Sequence, residues 1–435
     1  MVEALILLIL LMVLVFAGLP VALAMTFSGL VGIIAFLGPD FLIAGGRVAW
    51  NALYSWLLVT AFLFILIAEL MNRPKVGDVL FEGMSKFASG IRGALAMAVI
   101  WGCTLMGVTT GSGIAEVASV GRVAIPAMLK RGYSKTLALG SATASGALGY
   151  LIPPSLFLII YAAWAGESVG LLFAAAMLPG LLMASLLTGT TALLTTLNPK
   201  IAPRVPSLPI IERAKGLFMT WPVLTVGLTI LGVIIFGIAT PVEASGIGVI
   251  FIMVIILARP VSRRLVNWTF LKESMVSATW VTSSLMFILV GASILSFAWS
   301  YLGAPVKVVA WISGMAIPPF LTLIIFYLIV IAFGCVMEGL SMMLLIMPVA
   351  LPLMDTLGYD RIWLGVIMGF LVAAAELTPP VGIHLFTIKT LFPEHKFWLI
   401  VRGAFPYFLA EIVAIALLSA FPQIALWLPS LIKGD

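Results

Sequence analysis

The sequence predicts an all-α polytopic membrane protein with inverted-topology repeats, two re-entrant hairpins and two broken helices. Three observations predict this fold class. Hydrophobic residues make up 63% of the chain and charged residues 9%, whereas a soluble domain is about 25% charged. Unusual residues recur 226 positions apart. Loops at matching positions carry opposite charge bias, which is typical of repeats that face opposite sides of a membrane.

The composition excludes several classes of protein. Only 23 basic and 17 acidic residues are present among 435, too few for a water-soluble enzyme or a disordered chain. Cys103 and Cys335 lie in apolar runs and offer neither a disulfide framework nor zinc-ligand spacing. The net charge of +6 comes from basic loops between apolar runs, so it indicates membrane orientation and no nucleic-acid partner. The stretch from Met1 to Leu37 lacks the features of a cleaved signal peptide, and we expect it to stay in the lipid bilayer.

Long apolar runs predict the membrane segments. They cover residues 3–37, 48–71, 93–111, 113–129, 137–163, 171–197, 221–238, 244–258, 276–302, 320–336, 339–354, 362–389 and 403–428. The first run is longer than one span of about 20 residues and contains Gly18-Leu19-Pro20. It therefore forms either one tilted helix or two short ones, and the side of the N-terminus depends on which.

Basic residues in the loops predict which ends of the runs face the cytoplasm. The four clusters are Arg73, Lys75, Lys86 and Arg92; Lys130, Arg131 and Lys135; Lys200, Arg204, Arg213 and Lys215; and Arg259, Arg263, Arg264 and Lys272. Residues 93–129 lie between the first two clusters, so this stretch must enter and leave on the same side. We predict a re-entrant hairpin, or two short spans, with its tip at Gly111-Ser112-Gly113, because glycine and serine suit a tight turn.

A shift of the sequence by 226 residues aligns its unusual residues. The matches are Gly113 with Gly339, Pro126 with Pro352, Met128 with Met354, Gly132-Tyr133 with Gly358-Tyr359, and Pro153-Pro154 with Pro379-Pro380. The loop from Lys130 to Lys135 is basic, whereas its partner from Asp355 to Arg361 carries two acids and one base, so the two repeats should be inverted.

The predicted division of the chain follows from this alignment. It is an N-terminal membrane segment at 1–45, repeat 1 at 46–197, a linking segment with two transmembrane helices at 198–271, and repeat 2 at 272–428. Each repeat holds a first helix, an amphipathic arm (76–90 or 303–317), a hairpin (93–129 or 320–354), a broken helix (137–163 or 362–389) and a last helix (171–197 or 403–428).

Each repeat carries two interruptions, the hairpin tip and a double proline inside a long apolar run. Two prolines remove two backbone donors and clash with the preceding turn, so the helix should stop and restart at Pro153-Pro154 and Pro379-Pro380. Carbonyls at the end of a first half-helix suit Na⁺, and amides at the start of a second half suit a carboxylate. One such break alone would be an ordinary kink, but a matched pair in an inverted repeat indicates a secondary transporter.

Ionisable residues inside the predicted spans are costly there and are candidates for the site. Glu116 follows the first tip, where it would also complement a helix N-terminus. Glu376 ends a half-helix, where the helix dipole disfavours a carboxylate, so we expect a bound cation or a basic partner there; Glu338 at the second tip is similar. His384 either faces the site or packs as an ordinary polar residue. Arg122 either contacts a substrate carboxylate or snorkels to the cytoplasmic face.

Taken together, several of these motifs resemble the large membrane subunit of tripartite ATP-independent periplasmic (TRAP) transporters. They are Gly18-Leu19-Pro20-Val21-Ala22, the Gly111-Ser112-Gly113 tip leading to Gly121, Pro126 with Gly132-Tyr133, Ile152-Pro153-Pro154-Ser155, and Leu377-Thr378-Pro379-Pro380-Val381-Gly382. The resemblance extends from about residue 15 to residue 425.

The resemblance implies a multi-pass transporter of the bacterial inner membrane, not an enzyme, that imports an organic acid with two or more Na⁺ ions by an elevator mechanism. It also implies a small four-helix membrane subunit and a soluble periplasmic binding protein as partners. Carried onto this chain, the Na⁺ ligands would be Ser112, Gly113, Gly149, Pro153, Gly339, Thr378, Pro379 and Gly382, with Thr110 and Glu338 beside them. The substrate candidates are Ser112, Ser155, Glu116, Glu376 and His384.

The chain departs from the usual family pattern at Glu116, near a tip that commonly carries two serines, and at Glu376, where a small or apolar residue is expected. An extra acid would favour a substrate that also carries a positive group, such as a zwitterion. One alternative is a related Na⁺/carboxylate carrier that works without a binding protein. A remote alternative is an intramembrane serine protease using Ser112 and His384, although Thr110 occupies a position where such enzymes favour glycine.

Overall fold

A computed structural model of the chain describes residues 2–54, 56–72, 76–258, 266–314 and 317–433. Within these ranges the chain forms α-helices, two 3₁₀ turns and one π-helical turn, and it forms no strand. Five residues of the predicted basic clusters lie outside the described ranges: Arg73, Lys75, Arg259, Arg263 and Arg264.

The described helices of the first half of the chain run from α1 to α11. They are α1 (Val2–Phe16), α2 (Val21–Gly32), α3 (Phe41–Leu53), α4 (Trp56–Asn72), α5 (Val76–Phe87), α6 (Ala94–Thr110), α7 (Gly113–Lys130), α8 (Lys135–Ala144), α9 (Leu148–Leu151), α10 (Leu156–Ala165) and α11 (Val169–Leu197). A π-helical turn, Ile33–Leu37, continues α2, and a 3₁₀ turn, Ser145–Ala147, joins α8 to α9.

The second half begins with the linking segment. Its helices are α12 (Ile210–Phe218), α13 (Trp221–Ile235), α14 (Pro241–Ala258), α15 (Trp268–Tyr301), α16 (Ala304–Gly314), α17 (Pro319–Gly334), α18 (Gly339–Thr356), α19 (Arg361–Glu376), α20 (Ile383–Leu391), α21 (Phe397–Ala420) and α22 (Gln423–Lys433). The second 3₁₀ turn, Pro199–Ile201, follows α11.

Six helices of the described chain are long and apolar enough to cross a membrane. They are Lys135–Ala165, which runs through the first break, Val169–Leu197, Pro241–Ala258, Trp268–Tyr301, Gly339–Thr356 and Phe397–Ala420. Two bent pairs are apolar enough as units: Phe41–Leu53 with Leu58–Met71, bent by 45°, and Ile210–Phe218 with Trp221–Ile235, bent by 50°. These spans confirm the predicted all-α polytopic membrane class.

The first apolar run forms two helices, one of the two alternatives left open by the sequence, because Pro20 cannot continue α1 and instead precedes α2. Two other details differ from the sequence-based expectation. An additional helix, α3, crosses the predicted boundary between residues 45 and 46. The hydropathy pattern did not predict this helix because Gly45, Gly46 and Arg47 interrupt its apolar residues. The last predicted helix, 403–428, divides into α21 and α22 at Pro422, where the missing amide prevents continuation.

Helices of one predicted repeat contact helices of the other in matched pairs. The first half of broken helix 1, α8, packs on α21, and the first half of broken helix 2, α19, packs on α11. The second arm of hairpin 1, α7, packs on α20, and the second arm of hairpin 2, α18, packs on α10. Each broken helix therefore lies against an element of the other repeat.

Small residues allow these helices to approach closely. Gly140 of α8 lies directly against the backbone of Gly403 in α21, leaving no room for a side chain at either position. A Cβ on Gly29 of α2 would lie 2.7 Å from the backbone nitrogen of Leu295 in α15. Close helix packing through small residues is how helices associate in a membrane, where burial of apolar surface gives little driving force.

Candidate transport site

The first hairpin tip is the turn between α6 and α7. Gly111 closes α6 with φ of 56°, a left-handed conformation that favours glycine. A Cβ on Gly111 would lie 2.8 Å from the amide nitrogen of Leu156, so the tip touches the start of α10. Ser112 is the N-terminal flanking residue of α7; it is partly exposed, and its side chain does not cap the helix.

The second hairpin tip has a glutamate at the corresponding position. Glu338 precedes α18, 226 residues after Ser112, and its Oε2 accepts hydrogen bonds from the Ser341 amide (3.1 Å) and the Ser341 hydroxyl (3.2 Å). The side chain of Glu338 is partly exposed. The two tips therefore differ: an internal carboxylate caps the helix at the second tip, and no side chain caps it at the first.

The first break begins after α9 and ends where α10 starts. The bond between Pro153 and Pro154 is cis, and both residues are buried. Ser155 is fully buried, and its hydroxyl donates to the carbonyl oxygen of Tyr150 at 2.8 Å. This bond spans the break and satisfies a carbonyl that no longer has a helical partner.

The second break lies between α19 and α20. The bond between Pro379 and Pro380 is cis, and the amides of Val381 and Gly382 both donate to the carbonyl of Cys335 at 3.2 Å. These bonds tie the break to the end of α17. Thr378 is partly exposed, and its hydroxyl donates to the carbonyl of Ala374 at 2.8 Å.

Gly382 is a point where backbone oxygens converge. It has φ of 58°, and a Cβ added to it would lie 3.0 Å from the carbonyl oxygens of both Glu376 and Thr378. Only a glycine leaves these two oxygens uncovered. The region therefore offers the oxygen ligands that hard cations prefer.

Glu376 is the centre of a buried cluster. Its two carboxylate oxygens accept from the hydroxyl of Tyr150 at 2.8 and 2.9 Å, and its Oε1 also accepts from the amide of Gly339 at 3.3 Å. Nε2 of His384 lies 2.9 Å from Oε2 of Glu376, at ion-pair distance but without hydrogen-bond alignment. Glu376 and His384 are both fully buried. His384 is the basic partner that the position of Glu376 predicts.

His384 extends this cluster to the first tip. A Cβ on Gly113 would lie 2.6 Å from its Nε2, and one on Gly146 would lie 2.7 Å from its Cε1. Its ring also stacks on Tyr150, with centroids 6.0 Å apart. An unbroken series of contacts therefore runs from Gly113 through His384 and Glu376 to Gly339, and it connects the two tips.

Glu116 lies on a different side of the first tip. It is fully buried, and its Oε1 accepts from the hydroxyl of Thr110 at 3.1 Å. A Cβ on Gly149 would lie 2.6 Å from that oxygen. Oε2 of Glu116 has no hydrogen-bond partner among the residues that the structure describes. Glu116 thus meets two of the predicted cation-site residues and does not reach the surface.

The structure brings most of the predicted site residues to the tips and breaks, with different degrees of access. Ser112, Glu338, Thr378 and Pro379 are partly exposed, whereas Ser155, Glu116, Glu376 and His384 are fully buried. Arg122 is exposed on α7, away from the buried cluster. Within the described chain no hydrogen bond joins Ser112 to His384, so the arrangement lacks the nucleophile–base contact of a serine protease.

Tyr150 and Glu411 are two buried residues with ionisable side chains that were not predicted from the sequence. Tyr150 lies two residues before the Ile152-Pro153-Pro154-Ser155 motif, and its separation of 226 residues from Glu376 was an available signal. Glu411, in α21, is fully buried, and neither carboxylate oxygen has a partner in the described ranges. An acid inside an apolar helix is unusual enough that the rule applied to Glu116 and Glu376 would also have found Glu411.

Known proteins are similar to this chain in sequence and in fold. The profile of the family described as Tripartite ATP-independent periplasmic transporter, DctM component, matches residues 8–424. A C4-dicarboxylate TRAP transporter large permease protein of Pseudomonas aeruginosa is 29% identical over 84% of this chain and 84% of its own. An ectoine/5-hydroxyectoine TRAP transporter large permease protein of Ruegeria pomeroyi is 30% identical over 86% of each chain.

Among solved structures, the YdaH transporter of Alcanivorax borkumensis has a similar fold. It matches with a TM-score of 0.65 at 17% identity, over 91% of this chain and 90% of that one. At this identity the likeness concerns the fold alone.

These similarities extend over nearly the whole chain and confirm the resemblance carried by the tip and break motifs. Permeases of this family are multi-pass proteins of the inner membrane and are not enzymes. They work with a small membrane subunit and a periplasmic binding protein. This chain belongs to the tripartite ATP-independent periplasmic transporter family, as its DctM component.

Proposed function

We propose that this permease imports a carboxylate-bearing organic acid together with Na⁺ by an elevator movement. One observation carries the proposal: both hairpin tips and both breaks meet around Tyr150, Glu376 and His384. Irregular backbone at membrane depth is tolerated where it lines a site or a water-filled cavity. Helix ends that meet at mid-depth supply carbonyls for cations and amides for anions.

The first Na⁺ site would use the residues around tip 1 and break 1, namely Thr110, Ser112, Gly113, Gly149 and Pro153. The position of Glu116 supports this assignment, because it contacts Thr110 and packs against Gly149. An unpaired buried carboxylate oxygen is costly, and a cation beside it would remove that cost. We assign Glu116 to the cation and not to the substrate.

The second Na⁺ site would use the oxygens of Gly339, Thr378, Pro379 and Gly382, and not Glu338, whose Oε2 already accepts from Ser341. The two carbonyl oxygens that converge on Gly382 support it. Among the described residues no group of three or more histidines, cysteines or acids is arranged for a transition metal. Carbonyl and hydroxyl oxygens suit a hard cation such as Na⁺.

The substrate carboxylate would bind where α7 and α20 begin. The residues that precede the two helices leave their first amides uncapped, because the Ser112 hydroxyl makes no cap hydrogen bond and Gly382 has no side chain. Contacts of Gly113 with His384 and of Gly121 with Ile388 indicate that these helices run side by side in the same direction. Two helix N-termini that meet at one point favour an anion.

The inverted repeat and the elevator movement are supported by the matched contacts between repeats. An elevator requires the tips and broken helices to move as one body. The bonds of Cys335 to the second break and of Tyr150 to Glu376 join these elements across the chain. The names of the relatives, which include C4-dicarboxylate and ectoine transporters, support an organic acid as cargo.

Uptake into proteoliposomes tests the proposal. The permease is reconstituted with its small membrane subunit, and substrate is supplied with the periplasmic binding protein. Uptake is expected only when an inward Na⁺ gradient is present. Undiminished uptake with K⁺ in place of Na⁺ would overturn the coupling, and undiminished uptake without the binding protein would favour the alternative of an independent carrier.

A further inference from the structure

We propose that the transported solute carries one carboxylate, which binds at the first tip, and one cationic group, which faces Glu338 at the second tip. The inference depends on the proposed function and names the chemical class of its substrate. The starting observation is a difference in charge between two matching positions. Ser112 and Glu338 lie 226 residues apart, and only Glu338 is acidic.

The second tip already holds two carboxylates of the chain itself. Oε1 of Glu376 accepts from the amide of Gly339 at 3.3 Å, and Oε2 of Glu338 accepts from the amide of Ser341 at 3.1 Å. These are amides of the first turn of α18, which would otherwise attract an anion. A second substrate carboxylate would find these donors occupied and would meet two like charges.

At the first tip, no side chain occupies the backbone amide donors. No side chain caps α7, of 18 residues, or α20, of 9 residues. The buried imidazole of His384 lies against Gly113, at the start of α7, and its Nδ1 has no hydrogen-bond partner in the part of the chain that the structure describes. A single carboxylate would gain both helix N-termini and approach the imidazole of His384, which contacts Glu376 through Nε2 and has no hydrogen-bond partner for Nδ1 in the described chain.

Glu338 is the acid that can meet a solute. Glu116 and Glu376 are fully buried and already contact Thr110 and Tyr150, respectively. Glu338 is partly exposed, and its bonds to Ser341 use Oε2 alone. A carboxylate pairs best with a cationic donor. With Glu116 of the first tip assigned to the first Na⁺, the site is anionic at the second tip and open to an anion at the first, which suits a zwitterion and disfavours a dicarboxylate.

Charged thiol reagents measure the charge preference of each tip, and the experiment does not require the substrate to be known. Single cysteines are introduced as Ser112→Cys at the first tip and Val336→Cys at the second, in a chain with Cys103→Ala and Cys335→Ala. The permease, with its small membrane subunit, is reacted with a cationic (trimethylammonioethyl) and an anionic (sulfonatoethyl) methanethiosulfonate. Each rate is divided by the rate of the same reagent with a free thiol in solution.

The expected preferences are opposite at the two tips. Val336→Cys should favour the cationic reagent by about threefold or more, and Ser112→Cys should favour the anionic one by a similar factor. Adding Glu338→Gln should abolish the preference at Val336→Cys and keep that at Ser112→Cys. The same preference at both tips, or a preference at Val336→Cys that survives Glu338→Gln, would overturn the inference. Thermal unfolding of each variant checks that the fold is intact.

Identification of the natural ligand is a second test of the inference. Mass spectrometry of the ligand that co-purifies with the cognate periplasmic protein should find a molecule with one carboxylate and one cationic nitrogen. A ligand with two carboxylates, or with no cationic group, would overturn the inference. Failure of the Na⁺ coupling is distinguishable, because Na⁺-independent uptake would leave the reagent preferences unchanged.

Discussion

The hydroxyl of Tyr150 donates to both carboxylate oxygens of Glu376, at 2.8 and 2.9 Å, and the two residues lie 226 positions apart. That separation equals the shift that aligns the two repeats of the sequence. The bond therefore joins the same position of both repeats, at the point where the first halves of the two broken helices end. It connects the breaks to each other as well as to the second tip.

Tyr150→Phe should weaken both the fold and transport. The change removes the donor to a buried carboxylate, and we expect the free energy of unfolding to fall by about 1.5–3 kcal/mol. We expect Na⁺-dependent uptake to fall by roughly tenfold, equivalent to about 1.4 kcal/mol. The matched control is Tyr407→Phe, which removes a buried hydroxyl bonded to Thr191 at 2.9 Å but far from the tips in sequence. Equal uptake by the two variants would contradict a role of Tyr150 in the site.

Gly113→Ala should abolish uptake. The added methyl group would lie 2.6 Å from Nε2 of His384 and against the carbonyl of Gly146, so the tip would have to move away from the second break. Overpacking of this kind costs about 1–3 kcal/mol. Gly246→Ala, in α14, is the matched control because nothing lies within 4 Å of its Cβ position. Proteoliposome uptake decides the outcome, and normal transport by Gly113→Ala would show that the tip does not need this close contact.

Glu116→Gln should weaken the dependence of uptake on Na⁺. The change keeps the size of the side chain and removes the charge that we assign to the first cation. The Na⁺ concentration for half-maximal uptake is expected to rise by about tenfold, equivalent to about 1.4 kcal/mol. Glu82→Gln is the control, since Glu82 forms an exposed ion pair with Lys86 in α5. An unchanged Na⁺ curve in Glu116→Gln would remove Glu116 from the cation site.

Cysteine labelling tests the inversion of the repeats. Arg131→Cys and Leu357→Cys lie at the same position of the two repeats, after α7 and α18, and neither residue has a left-handed backbone. A membrane-impermeant thiol reagent added to right-side-out vesicles should label Leu357→Cys and not Arg131→Cys. Labelling of both from one side would disprove the inversion, whichever side that is.

The parts of the fold that follow from local chemistry were predictable. The double prolines end and restart their helices because proline lacks an amide hydrogen, and Gly111 of the first tip permits a left-handed turn. The charge of a buried Glu376 required a partner, and His384 supplies one. These predictions need only the backbone rules and the cost of an acid in an apolar environment.

Other parts depend on contacts between residues far apart in the sequence. The bond from Tyr150 to Glu376 and the contact of His384 with Gly113 arise only when the two repeats pack together. Helix α3 escaped prediction because Gly45 and Gly46 dilute an apolar pattern that the packing of α3 on α15 nevertheless supports. Tertiary contacts determine these two interactions and helix α3, and the hydropathy pattern alone does not predict tertiary contacts.

The pairing of Tyr150 with Glu376 also bears on how such a chain evolves. In a dimer of two identical half-length proteins, a position that touches its own copy carries the same residue twice. Two glutamates would repel each other there, and two tyrosines would leave no carboxylate to accept. Once both halves belong to one gene, the two copies can change independently, so a donor in one copy can face an acceptor at the same position of the other. The bond between Tyr150 and Glu376 is thus a contact that duplication within one chain makes available and a homodimer does not.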